Sequence, residues 1–262
     1  MEHQLQPTKI SQIHCAYGPE FFKSFKKKYG DMPRYTDINK PVLFFGCYYA
    51  NELQKLLAHQ SECVVIWLGS DILWAMSHYE YMIKLKSKPN IKHIAISNFI
   101  MDDLDRWNIP YRHVPIVPMI NTDITPKPLG DYIYTYNIHT EKYGGKVWGK
   151  LENKLRGMKF IHSKPFIYSR EGILEVYSKC FIGLRFTSHD GLSNTACEMG
   201  LMGRKIIWNG NTPNAIPYDE NDIDSIVENV VYEYEHLKES DYLQVAESTE
   251  KFLDITDDFL YL

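Results

Sequence analysis

The chain of 262 residues predicts an α/β protein made of two Rossmann-like, doubly wound parallel-sheet units. Three observations carry that expectation. Largely apolar strand-like runs recur at residues 42–48, 63–68, 91–96 and 181–186, the first two unbroken, as strands buried on both faces require. Helical segments separate them, which parallel crossovers need. A polar stretch at 121–130, punctuated by Pro126, Pro128 and Gly130, interrupts the alternation, which then restarts.

The elements follow in order. Residues 10–17 form the first strand, and Pro19 and Gly30 bracket a helix over 19–29. Strand 42–48 leads to Asn51, the N-cap of a helix reaching about residue 59, and strand 63–68 ends at Gly69-Ser70-Asp71. Helix 79–86 and strand 91–96 come next, then helix 99–107 capped by Ser97 or Asn98; strand 114–117 closes this half. In the second half, strand 132–136 precedes helix 147–156, and strand 159–161 precedes helix 170–178. Strand 181–186 feeds the segment from Asp190 to Glu198, and strand 205–208 runs into an Asn- and Pro-rich loop. Helices 222–237 and 242–253 end the chain. The domains are therefore 1–122 and 123–262, with the last helix free to pack back on the first domain. Two such units facing each other leave a cleft, where ligands of these folds usually sit.

Composition narrows the function. A 44% hydrophobic and 24% charged chain is ordinary for a soluble globular protein. Its 19 tyrosines offer surfaces for stacking on sugars or bases. A net charge of −4 argues against a general nucleic-acid coat, which needs a basic face. Lys26-Lys27-Lys28 is the one tight basic run and reads as a solvated helix end. Five cysteines without CxxC spacing point to a reducing compartment and give no zinc signal. The polar N-terminus shows no secretory signal, and no apolar run nears the roughly 18 residues that cross a bilayer. The expected location is cytoplasmic. Walker, GxGxxG, GxSxG and HExxH patterns are all missing from the sequence, which removes the usual nucleotidase, dehydrogenase, hydrolase and zincin readings.

The most informative stretch is Ser188-His189-Asp190-Gly191-Leu192-Ser193-Asn194-Thr195-Ala196-Cys197-Glu198-Met199-Gly200. An acid sits on a loop, a helix starts, and a second acid follows within it. The N–H groups of a first helical turn suit an anion such as a diphosphate. A carboxylate further along can accept hydrogen bonds from a pair of sugar hydroxyls.

Residues 181–207 resemble the C-terminal half of retaining GT-B glycosyltransferases of family four. There an acid, Gly-Leu-Pro, several small residues and a Glu-Ala-Met-Ala-Xaa-Gly-Xaa-Pro-Val run occur in order, with the same separation as Asp190 and Glu198. This chain departs from the pattern with Asp190 for the commoner Glu, Ser193 for Pro, and Arg204 where a Pro often stands. The resemblance implies that Glu198 binds ribose and Asp190 faces the donor sugar. Gly191 and Leu192 would present backbone N–H groups, with Ser193, Asn194, Thr195 and the loop residue His189 also on the donor. The family's Lys aligns with Lys142, but its Arg with Asn137, so Arg185 or Lys146 would supply the second cation against the leaving diphosphate. Asp190, Lys142 and Arg185 are thus the expected catalytic residues, and no metal is expected.

By the same resemblance the first domain takes the acceptor. Gly18, Tyr48, Tyr49, Ser70 and Asp71 lie at the C-terminal ends of its strands, the functional edge of a parallel sheet, and Trp74 is a further stacking candidate. The implied activity is transfer of a hexose or pentose from a UDP- or GDP-linked donor to a hydroxyl acceptor, with retention and without another cofactor. A glycan or small acceptor fits the acidic balance. The first alternative is a DNA-modifying glycosyltransferase acting on hydroxymethylated bases; the second is a non-catalytic nucleotide-sugar binding protein. The short chain is similar to the compact glycosyltransferases of large DNA viruses and phages, which would place it in a host cytoplasm. Oligomeric state has no signal in the sequence.

Overall fold

A computed structural model describes residues 9–16, 25–27, 30–117, 123–136, 140–163 and 168–261. They divide into two compact units: Met1–Met119 with Asp190–Leu192 and Ile255–Leu262, and Ile120–His189 with Ser193–Asp254. Of the helix expected over 19–29, only 25–27 fall within the described residues, and these are helical.

In the first unit, β1 (Gln12–Cys15), β2 (Val42–Phe45), β3 (Cys63–Trp67), β4 (Ile91–Ala95) and β5 (Tyr111–His113) form a parallel sheet in that order. Every residue of β2 and β3 is buried, as their unbroken apolar sequences demand. A parallel bridge from Ile13 to Arg34 lies on the other side of β1, so the chain visits both flanks of that strand. The closing strand is β5, ahead of the apolar run at 114–117. The Val114 amide extends the β4–β5 ladder by one bond, donating to the Ala95 carbonyl at 3.0 Å, and Ile116 beyond it is buried outside any strand.

Among the described residues the helices over this sheet include α1 (Ala50–Ala58), α2 (Ser70–Met76), α3 (Tyr79–Lys86) and α4 (Asn98–Arg106). The N-cap of α1 is Tyr49 and not Asn51. Glu52 explains the shift: its Oε2 accepts from the Tyr48 and Tyr49 amides at 2.7 and 3.1 Å, capping the first turn from the N3 position. Residues 255–262 return to this unit, where the Ile10 amide donates to the Leu260 carbonyl (2.9 Å) and Arg112 pairs with Asp258 (2.6 Å).

A buried pair ties β3 to β4. Trp67 Nε1 donates to His93 Nδ1 at 3.1 Å, with the two ring planes within 5° of each other. An indole can only donate, so His93 must be the neutral Nε2–H tautomer. Burial pulls its pKa down to about 4 from 6.5. The unfolded chain takes up this proton first, so the stabilisation is complete above pH 6.5 and is lost as pH falls toward 4. The loss from this group is about 3 kcal/mol. Urea midpoints measured across that range should fall more steeply for wild type than for His93→Gln; equal slopes would refute the assignment.

In the second unit, β6 (Tyr132–Tyr136), β7 (Lys159–Ser163), β8 (Cys180–Leu184), β9 (Lys205–Ile207) and β10 (Ala215–Ile216) are parallel in the order β10-β9-β8-β6-β7. Strand order reverses at β6, which places a switch point between β6 and β8. The helices are α5 (Gly145–Lys154), α6 (Arg170–Ser178), α7 (Asn194–Leu201), α8 (Ile223–Glu235) and α9 (Tyr242–Leu253). The core gathers Ile133, Leu151, Ile182, Leu184, Ile207 and Val230.

Glycines seat α7. A Cβ on Gly183 of β8 would stand 2.6 Å from Met199 Sδ, and one on Gly200 would stand 2.5 Å from Thr249 Oγ1 of α9. The last α-helix therefore packs on α7 within this unit, and it is the segment after it that returns to the first. Arg204, fully buried, follows α7. Its Nε donates to the carbonyls of Tyr177 and Cys180 at 3.2 Å; Nη1 donates to Lys127 (2.6 Å) and Met202, and Nη2 to Pro128 (2.6 Å) and Ser178 (3.2 Å). One side chain thus fastens the Pro-rich connection to the sheet.

Candidate functional site

In the first unit, the loops at the carboxyl ends of β2 and β3 converge around Asp71. This residue is fully buried at the start of α2, and its carboxylate accepts from the backbone amides of Leu68, Gly69, Ile72 and Cys47 at 2.9–3.3 Å. Burial pushes its pKa up to about 6 against the pull of those donors. Asp71 therefore fixes the loops and does not present a carboxylate to an acceptor. Ser70, next to it, is exposed.

Asp190–Leu192 belong to this unit, although the resemblance assigns them to the donor side. Ser97 Oγ donates to the Asp190 carbonyl at 3.1 Å. Gly191 lies so close to Leu68 and Gly69 that a Cβ would overlap the Leu68 carbonyl oxygen. The glycine of the Asp-Gly-Leu motif is thus required by a backbone approach that its sequence position did not reveal. Gly191→Ala must displace backbone, and overpacking of this kind costs about 1–3 kcal/mol or more. A clearly lowered melting temperature is expected; an unchanged one would show that the loop lies elsewhere.

Tyr48 is half-buried and Tyr49 is 65% exposed, both on the loop that Glu52 caps. His14 Nε2 stands 3.8 Å from Glu52 Oε1. Neither Glu52 nor His14 was expected from the sequence; an acid three residues after a tyrosine N-cap was the available signal for Glu52. Trp74 packs its ring on His78 and Tyr81. Gly18 lies outside the described residues.

In the second unit, the carboxyl ends of β6 and β8 carry a cation–aromatic cluster. The β6–β8 register pairs Thr135 with Leu184, so Tyr136 and Arg185 follow side by side. Arg185, 7% exposed, places its guanidinium carbon 4.8 Å from the Tyr136 ring centre and 5.0 Å from that of Tyr143. Lys142 Nζ lies 5.4 Å from the same Tyr143 ring. The structure therefore brings Lys142 and Arg185 to one ring, at the switch point where ligands of doubly wound sheets bind. Lys146 is exposed and pairs with Glu141 at 3.6 Å. Asn137 lies outside the described residues.

The second acid is placed by α7. Ser193 is its N-cap, with Oγ accepting from the Ala196 amide at 3.2 Å, so this hydroxyl serves the helix. Thr195 accepts from Tyr177 OH at 3.3 Å, and Asn194 is partly exposed. Glu198 is 1% exposed. Burial, then Tyr134 and the Glu198 carboxylate, push the Tyr177 phenol well above its usual pKa. Tyr134 meets Tyr177 edge-on and shares a 2.5 Å hydrogen bond with Ser163. The sequence carries no local signal for this tyrosine pair, which lies on β6 and α6, 43 positions apart. His189 is partly exposed, and Thr187 Oγ1 donates to its carbonyl at 2.9 Å. Among the described residues no group of three or more His, Cys, Asp and Glu could hold a metal, and no helix is long and apolar enough to cross a membrane.

No protein-family model and no curated protein sequence matches this chain. Solved structures do match its fold. A glycosyltransferase from Rickettsia africae ESF-5 is similar with a TM-score of 0.62 at 12% identity, over 98% of this chain and 96% of that one. An alpha,alpha-trehalose-phosphate synthase (UDP-forming) from Burkholderia vietnamiensis gives 0.56 at 9% identity, over 84% and 72%. Sucrose-phosphate synthase from Thermosynechococcus elongatus gives 0.55 at 12% identity, over 88% and 71%. The α/β fold with two parallel five-stranded sheets is that of GT-B glycosyltransferases. The compact length is shared with a bacterial structure, so it carries no indication of a viral source.

Proposed function

We propose that this chain is a glycosyltransferase that moves a sugar from a nucleotide diphosphate donor to a hydroxyl acceptor, with retention and without a metal. The observation that carries the reading is the pairing of Arg185 and Lys142 on the Tyr143 ring at the β6–β8 switch point. Cations held there suit a leaving diphosphate, whose charge grows as the glycosidic bond breaks. In the reaction the acceptor oxygen bonds to the anomeric carbon. The carbon–oxygen bond to the diphosphate breaks, its electron pair leaves with the nucleotide, and the acceptor proton passes to the departing phosphate oxygen. The sugar goes through an oxocarbenium-like state.

Glu198 grips the ribose, and Asp190 with the Gly191 and Leu192 amides faces the donor sugar. Asn194 and Lys146 lie on the donor side. Ser193 and Thr195 shape the start of α7, and Tyr48, Tyr49 and Ser70 offer the acceptor surface. A trehalose-phosphate synthase described as UDP-forming shares this fold, which supports a UDP-linked donor first and a GDP-linked one second. Incubation with UDP- and GDP-sugars should release nucleoside diphosphate slowly in water and faster with a glycan acceptor pool. Release only with hydroxymethylated DNA would favour the DNA-modifying alternative. Binding of a nucleotide sugar without hydrolysis or transfer would refute catalysis.

A further inference from the structure

We propose that Tyr136 and Tyr143 are positioning residues that clamp Arg185 for the diphosphate, and that Tyr143 links Arg185 to Lys142. This rests on the glycosyltransferase reading. The two tyrosine rings stand perpendicular with centres 4.9 Å apart, and the Arg185 guanidinium lies within 5.0 Å of both. Stacking uses the faces of a guanidinium, whereas its N–H donors lie in the plane. The rings are perpendicular, so the guanidinium plane can lie parallel to at most one of them. Held between them it is oriented before an oxyanion arrives, and its in-plane donors suit two-point contact with phosphate. The clamp removes rotamer freedom beforehand, so less is lost when the anion arrives.

The origins of the two tyrosines make the device specific. Tyr136 ends β6, and Tyr143 closes the short 3-10 turn Glu141–Tyr143 before α5. That turn also carries Lys142, whose ammonium lies over the Tyr143 ring. Gly144 follows with φ +87°, and a Cβ there would overlap Phe186, next to Arg185. The turn is therefore seated directly on the segment that bears Arg185. Losing the Tyr143 ring releases both cations at once, while losing Tyr136 releases Arg185 alone.

The test compares full-length wild type, Tyr143→Phe, Tyr143→Leu, Tyr136→Leu and Arg185→Met. Affinities for UDP, GDP, UMP, uridine and inorganic pyrophosphate are measured by calorimetry, with a melting curve for each variant. Tyr143→Phe keeps the ring and should bind the diphosphates within about twofold of wild type. Tyr143→Leu should lose about tenfold for the preferred diphosphate and Tyr136→Leu somewhat less, with uridine affinity unchanged. Equal diphosphate affinity in folded Tyr143→Leu and wild type would overturn the clamp while leaving the donor reading intact. Equal losses for uridine and the diphosphates would also overturn it, since they indicate a structural role. If wild type binds neither nucleoside diphosphate nor pyrophosphate, the donor reading fails and the clamp with it.

Discussion

Arg204→Met is expected to lower folding stability by about 3–5 kcal/mol, the largest effect of any single substitution considered. Arg204 spends its guanidinium on six backbone carbonyls from four stretches of the second unit, and burial lowers its pKa only to about 10, so it stays charged at neutral pH. Methionine fills similar space but leaves those oxygens without a donor. Lysine does not rescue it, because three donors on one nitrogen cannot reach six oxygens arranged around a plane. Urea denaturation should show a much lower midpoint, and limited proteolysis should cut faster near Lys127 and Pro128. A midpoint within error of wild type would refute the role.

Glu198→Ala is expected to weaken nucleoside diphosphate binding by about 10²-fold or more. Two hydrogen bonds from ribose hydroxyls to a carboxylate are worth about 1.5–3 kcal/mol each. Melting temperature separates this from a structural role. A residue that only fills the core leaves a cavity when truncated and lowers stability without altering nucleotide affinity. The expected pattern is lost affinity in a variant that still folds and melts cooperatively. Lower stability with unchanged nucleotide affinity would assign Glu198 to packing.

The sequence made the two-sheet architecture legible because strands such as Val42–Phe45 and Cys180–Leu184 are apolar throughout. Tyr132–Tyr136, Arg170–Ser178 and Tyr242–Leu253 fall where periodicity and caps place them. What failed depended on contacts remote in sequence. The β5 strand is polar because it lies at the edge of its sheet, and Asp71, in the first turn of α2, collects amides from two loops. The site was legible as a list of candidates but not as a grouping. Nothing local says that Arg185 stacks on Tyr136 and Tyr143, since β6–β8 register puts them together. Nothing local says that Gly191 meets Leu68, or that Arg204, standing where the resembling family has proline, fastens the connection between the units' sequences.

Donor binding and transfer are tested together by a thermal-shift titration of the full-length protein with UDP-, GDP-, ADP- and CDP-linked sugars, followed by product analysis with a glycan acceptor pool. Selective binding to the folded state raises the melting temperature by mass action. Stabilisation by one nucleotide-sugar class is expected, sharply reduced in Arg185→Met, with transfer of that sugar in retained anomeric configuration. No stabilisation by any nucleotide sugar, and no transfer from any of them, would contradict the glycosyltransferase reading.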